Sequence, residues 1–199
     1  MRFDLQIIAS LIEPESKVLD LGCGEGDLLH FLKAHKQVTG IGIEREEANV
    51  AQCIERGLSV LHGDINEEAR DYPDNTFDYV ILSQTLQQVY EPAELIRSLL
   101  RIGKKGIVSF PNFSHLRVRL QLLLSGYAPV TKELPYEWYD TPNIRVITLK
   151  DFRQFSKEVG FRILRETAIS GRDPRERGGV IKFLPTLRAT YGIFLIGKR

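Results

Sequence analysis

Val18-Leu19-Asp20-Leu21-Gly22-Cys23-Gly24-Glu25-Gly26-Asp27 joins an apolar run to an acid, three glycines at alternate positions and the start of a helical pattern. This is the signature of a strand, a loop and a helix. Glycine lacks the Cβ that would keep a ligand away from bare backbone, so the loop reads as a binding loop. Its spacing is G-x-G-x-G, whereas the dinucleotide fingerprint G-x-G-x-x-G would place its third glycine at Asp27. Asp20 also stands where a pyrophosphate would lie, and a carboxylate there repels phosphate and attracts an ammonium group. These charges favour a nucleotide-like ligand that carries an amino-acid tail over NAD.

Outward from this stretch, strand and helix patterns alternate. Apolar residues at helical spacing predict helices over 4–12, 27–34, 45–55, 92–101 and 149–159. Gly57 and Gly160 end two of them, and Pro92 opens another. Strands are predicted over 17–21, 37–44, 58–62, 77–83, 106–110, 161–168 and 191–197. Alternation of this kind gives a mostly parallel sheet covered on both faces, with ligands at the carboxyl ends of the strands. The reading is a single α/β domain over 1–199: a three-layer, Rossmann-like arrangement of seven strands with an antiparallel last strand. Two stretches depart from the alternation. An aromatic- and arginine-rich insertion at about 111–146 is expected to fold over the ligand edge, and a glycine-containing loop at about 170–188 is expected to be mobile.

The candidate cofactor residues are Asp20, Gly22, Cys23, Gly24, Gly26, Glu44, Asp64, Ile65, Ser83 and Gln84. Glu44 closes the second strand, where an acid can accept both hydroxyls of a ribose; it could equally cap the helix that follows. Asp64 and Ile65 follow the third strand, where a carboxylate can accept an adenine amino group and an aliphatic side chain can pack on the ring. Ser83 and Gln84 end the fourth strand at the same edge. S-adenosylmethionine (SAM), or S-adenosylhomocysteine (SAH), combines the ribose, adenine and ammonium that these positions suit. Gln84, Gln87 and Gln88 can orient a substrate but are poor proton acceptors. Weak candidates for catalysis are His115, Tyr136 and Tyr139. The competing expectation is that His115 satisfies a loop hydrogen bond and that Tyr136, Trp138 and Tyr139 pin the insertion to the core.

As a set, V-L-D-L-G-C-G-E-G-D, G-I-G-I-E, H-G-D-I and F-D-Y-V-I-L-S resemble the class I SAM-dependent methyltransferases from about Lys17 to Phe110. That resemblance implies a SAM pocket without requiring that methyl transfer occurs. If transfer occurs, Arg117, Arg119 or Arg145 could hold a carboxylated acceptor.

Composition bounds the setting. At 199 residues and 43% hydrophobic content the chain suits a soluble globular domain. It lacks both an apolar run of membrane-spanning length and an N-terminal signal pattern, and its two cysteines make neither a disulfide framework nor a metal site. A cytoplasmic location with no membrane partner follows as the expectation. Residues 1–100 hold 8 Lys/Arg against 18 Asp/Glu, and residues 101–199 hold 19 against 8. The basic charges are scattered, so a solvated face or an acidic partner is favoured over nucleic acid. Homo-oligomerisation stays open.

A closer resemblance covers nearly the whole chain. Ser83–Val89 (S-Q-T-L-Q-Q-V), Phe110–His115 (F-P-N-F-S-H) and Leu134–Asn143 (L-P-Y-E-W-Y-D-T-P-N) are similar to the methionine biosynthesis MetW family. Leu116 and Asp140 depart from residues common there. The resemblance implies association with MetX, the homoserine O-acyltransferase, as a supporting or regulatory SAM-binding subunit; an active methyltransferase on a small molecule is the alternative.

Overall fold

The structure, a computed structural model, describes residues 1–171 and 178–199. In chain order its elements are α1 (Phe3–Ser10), β1 (Lys17–Leu21), α2 (Asp27–Lys36), β2 (Thr39–Glu44), α3 (Glu47–Glu55), β3 (Ser59–His62), α4 (Ile65–Asp71) and β4 (Phe77–Ser83). A 3-10 turn at Leu86–Gln88 leads to α5 (Pro92–Ile102), β5 (Gly103–Pro111), α6 (Leu116–Ser125), α7 (Leu149–Val159), β6 (Arg162–Ser170), β7 (Gly179–Val180), α8 (Pro185–Arg188) and β8 (Tyr191–Gly197).

The strands form one sheet in the order β3-β2-β1-β4-β5-β8-β6-β7. β1 to β5 run parallel to one another, whereas β8 is antiparallel to both β5 and β6. The Rossmann-like methyltransferase fold read from the sequence is therefore present, antiparallel last strand included. Among the described residues the sheet carries one strand more than expected, the two-residue β7 on the edge of β6. Within the segment expected to be mobile, 172–177 lie outside the described residues; beyond them the chain forms β7 and α8.

The central strands are buried on both faces, which is why they read as nearly continuous apolar runs. Two apolar layers cover them. On one side α5 and α7 place Leu95, Ile96, Leu99 and Phe152 against Val80, Val108, Phe110 and Phe194. On the other, Leu5 and Ile8 of α1 and Leu28, Leu29 and Leu32 of α2 pack with Val18, Ile81 and Ile107. Each large side chain so buried stabilises the fold by about 1.5–3 kcal/mol. α7 begins with a reciprocal cap in which Thr148 and Asp151 bond each other's backbone N–H. Between β1 and β4 the strand order reverses, which opens a crevice at the carboxyl ends of the strands.

Candidate functional site

A cavity of about 740 Å3 lies in that crevice, within the range of small-molecule sites. Asp20, Gly22, Cys23, Gly24, Glu44, Asp64, Ile65, Ser83 and Gln84 all line it. Gly26 stands below the wall as the cap of α2. The glycines of the loop all take positive φ, but for different reasons. A Cβ on Gly26 would sit 2.4 Å from Leu58 Cδ1 and 2.8 Å from Cys53 Sγ, so that glycine serves packing. A Cβ on Gly24 would meet nothing within 4 Å, so its bare backbone faces open space.

The loop is held from α3 and β2. Cys53 Sγ donates to the Gly24 carbonyl at 3.3 Å and lies 4.0 Å from Cys23 Sγ. Burial pushes both thiols up, so both are neutral, and neither is in a disulfide. Arg56 donates to the Glu25 carbonyl at 2.9 Å and to Asp27 at 2.6 Å. Glu44 is 8% exposed. Its Oε2 accepts the Gly24 N–H, while its Oε1 accepts the N–H groups of Arg45 and Glu46. Glu44 thus lines the cavity and organises the turn into α3, whose cap position is Glu46 rather than Glu44. Asp64 caps α4 by accepting the Asn66 N–H.

Asp20 is the polar exception within a buried apolar strand, 2% exposed. Its carboxyl is pushed up to about 7, first by burial and then by the nearby charge of Glu44, with Arg2 opposing. Asp20 Oδ1 has no hydrogen-bond partner among the described residues. A buried acceptor left unpaired costs about 1–3 kcal/mol, a cost that a donor on a bound ligand would offset. A ligand ammonium supplies both a donor and a compensating charge. The chemistry of these residues therefore fits an amino-acid tail at Asp20, a sugar at Glu44 and a base near Asp64 and Ile65.

Arg2 on the cavity wall and Asp4, which holds it, escaped the sequence reading. Arg2 lines the cavity and pairs in two places with Asp4, at 3.2 and 3.1 Å. Asp4 is fully buried and also accepts from Gln84 Nε2 at 2.8 Å. The one available signal was an acid on the buried face of α1, beside Leu5 and Ile8. Gln87 is a second buried side chain on the wall whose Oε1 lacks a partner.

The insertion reaches the cavity through Glu133, Pro135, Tyr136, Pro142 and Asn143. Arg145 anchors its end: its backbone N–H donates to the Gln87 carbonyl, and its side chain to the carbonyls of Val89 and Tyr90. The expectation that the aromatics pin the insertion to the core is corrected. Trp138 and Tyr139 are 75% and 72% exposed, and their rings pack edge-on against each other. Tyr136 is also exposed but does line the cavity; Tyr139 does not. His115 lies outside the cavity wall and caps α6, its Nδ1 accepting the Arg117 N–H. Burial lowers its pKa. Arg117, Arg119 and Arg145 are absent from the cavity wall, and Arg119 instead donates to the Ser114 carbonyl.

Similarity to known proteins agrees with this geometry. The pattern of the family described as methionine biosynthesis protein MetW matches residues 2–196. The chain belongs to the MetW family. A curated relative is the bifunctional methionine biosynthesis protein MetXA/MetW of Rhodopirellula baltica. It is 35% identical over 162 residues, which cover 77% of this chain and 26% of the relative. A ubiquinone biosynthesis O-methyltransferase of Methylococcus capsulatus is 34% identical over 112 residues, 54% of this chain and 46% of that one. The chain thus spans about a quarter to a half of the length of these two relatives. Among solved structures, a SAM-dependent methyltransferase from Archaeoglobus fulgidus superposes with a TM-score of 0.72 at 16% identity, covering 98% of this chain and 91% of its own. An S-adenosylmethionine-dependent methyltransferase from Mesorhizobium loti gives 0.69 at 16% identity, covering 96% and 95%. At such identities these two structures establish the MetW chain's fold and nothing finer. Among the described residues no helix is long and apolar enough to cross a membrane, and no cluster of metal-ligating side chains occurs.

Proposed function

We propose that this MetW-family chain is a cytoplasmic SAM-binding subunit of methionine biosynthesis that associates with the homoserine O-acyltransferase MetX and supports its activity. The observation that carries the reading is the Rhodopirellula relative, whose name joins MetXA and MetW in one bifunctional protein. Two functional parts on one polypeptide are held at high effective concentration, an arrangement that separate chains reproduce by binding each other. The cavity supplies the ligand side of the proposal. Asp20 takes the ammonium, Glu44 the ribose hydroxyls, Asp64 and Ile65 the adenine, and Ser83 and Gln84 the methionine moiety. SAM, once bound, brings a sulfonium with a transferable methyl group. The residues nearest the 3-10 turn, Gln84, Gln87 and Gln88, are amides that position a ligand but do not remove protons.

SAM lies downstream of the step that MetX catalyses. If it binds free and MetX-bound chain with different affinity, linkage requires it to shift the complex. The test is co-expression with MetX, with acyl transfer to homoserine measured with and without this chain and with and without SAM. Higher acyl-transfer activity in its presence supports the reading. Unchanged activity together with no complex on gel filtration overturns it.

A second reading, methyl transfer to a small molecule, is favoured by the ubiquinone O-methyltransferase relatives, whose similarity extends over about half the chain. Incubation with methyl-labelled SAM and candidate acceptors separates the two: labelled product supports transfer, and retained SAM without product supports the subunit role.

A further inference from the structure

We propose that the outer face of α6 and the adjoining insertion form the surface on which the acyltransferase chain docks. This rests on the MetX association above and adds where the contact lies. α6 is ten residues long, and Val118 is its single buried residue. Leu123 and Leu124 are 79% and 80% exposed, Leu120 and Leu122 are exposed beside them, and Tyr127 follows at 78%. A helix this short is marginal in water without a packed face, and this one turns its leucines outward. Trp138 and Tyr139, later in the same insertion, are likewise exposed. Aromatic and apolar residues gathered in this way mark the centre of an interface.

Charge narrows the occupant. From Leu116 to Lys132 the chain carries Arg117, Arg119 and Lys132 and no carboxylate. Two-fold pairing of this face with itself would bring these cations together, which disfavours a second copy. An anionic lipid surface would meet Glu133, Glu137 and Asp140 of the same insertion and be repelled. The complementary occupant is a protein whose apolar groove sets carboxylates opposite the basic helix and cations opposite the acidic part of the insertion, and the fused relative points to the acyltransferase.

The face is continuous with the ligand cavity. The Gln121 amide reaches the backbone N–H and carbonyl of Val130 at 3.3 Å, and Leu134 is buried beneath. Glu133, Pro135 and Tyr136, next in the chain, line the cavity. A ligand that orders this wall therefore biases the docking face, and docking biases the ligand site by the same factor.

The test uses the full chain carrying Leu123→Asp with Leu124→Asp, and as control Ile54→Asp, an exposed apolar residue on α3 at the β2–β3 side of the sheet. Circular dichroism and SAH titration establish that each variant folds. Association with MetX is measured by sedimentation velocity. The expected result is at least a hundredfold weaker association for the double variant, SAH affinity within twofold of wild type, and no effect of Ile54→Asp. Unchanged association of the double variant overturns the docking face and leaves the MetX reading standing. Failure of the wild-type chain to bind MetX overturns both. A wild-type dimer that the double variant dissolves assigns the face to a second copy, and wild-type binding to phosphatidylglycerol vesicles that the variant loses assigns it to lipid; each overturns the proposal.

Discussion

Glu44 accepts the Gly24 N–H at 2.8 Å, so the acid that ends β2 holds the loop that follows β1. The sugar-binding candidate and the glycine loop are thus one mechanical unit. Glu44→Ala removes a charged acceptor from three backbone donors, an interaction class that contributes about 1.5–3 kcal/mol per bond. SAH affinity is expected to fall by about tenfold to hundredfold, with a lower melting temperature. Isothermal titration calorimetry and thermal unfolding check this; wild-type affinity in the variant would remove Glu44 from the site.

Asp20 predicts a pH dependence whose sign follows from its environment. Unfolded, the carboxyl ionises near its ordinary value of about 3.9; folded, burial holds the proton until about pH 7. The native state binds more protons between those limits. The stability owed to this group is therefore full below about pH 4 and is lost as the pH rises through about 7. Asp20→Asn is expected to abolish that loss, seen as a flatter profile of urea-unfolding free energy from pH 4.5 to 7.5.

The same group links ligand binding to protons. A ligand ammonium stabilises the ionised carboxylate, so SAH is expected to bind more tightly at pH 8 than at pH 6 and to release about half a proton at pH 7. Calorimetry in buffers of different ionisation enthalpy reads this directly. Proton-neutral binding would place the ammonium elsewhere.

Gly24 and Gly26 are expected to separate binding from folding. Gly24→Ala meets open space and costs only the strain of a left-handed residue, about 1–2 kcal/mol. It nevertheless puts a methyl group where the ligand approaches, so SAH affinity is expected to fall more than stability does. Gly26→Ala adds a collision with Leu58 and Cys53 to the same strain, with overpacking that costs about 1–3 kcal/mol more. Chemical unfolding of the two variants beside SAH titration tests the ordering.

The aromatic residues divide in the same way. Phe152 is 1% exposed, in contact with Phe110 and Phe194, and Phe152→Ala is expected to cost about 3–5 kcal/mol. Trp138→Ala is expected to change stability by less than about 0.5 kcal/mol, because the ring is largely in solvent. A large loss for Trp138→Ala would mean the insertion is packed more tightly than the structure describes.

What the sequence made legible was local. β1, β4, α7 and β8 begin and end where apolar runs and capping residues say they should, because those signals lie within a few residues of the boundary. The nine lining residues from Asp20 to Gln84 were legible as well, because the carboxyl ends of parallel strands must converge on one crevice. Contacts between distant segments were not legible: Asp4 meets Gln84 across 80 positions, and nothing near either residue announces the other. α6 was hidden for a different reason. Its leucines do not form a stripe facing the core, because the core is not what they face. α4 was missed because only Ala69 is buried in an otherwise polar segment.

The position of Arg2 has a practical corollary. It lines the cavity and is clamped to Asp4, so a purification tag or fluorophore joined ahead of Met1 emerges at the cavity mouth, where it would obstruct entry or report on it. Gly197 pairs with Lys105 near the start of β5, at the opposite end of the strands from the cavity. A label carried after Arg199 leaves the entrance clear, so attaching one dye at each end in turn distinguishes events at the mouth from tumbling of the whole molecule.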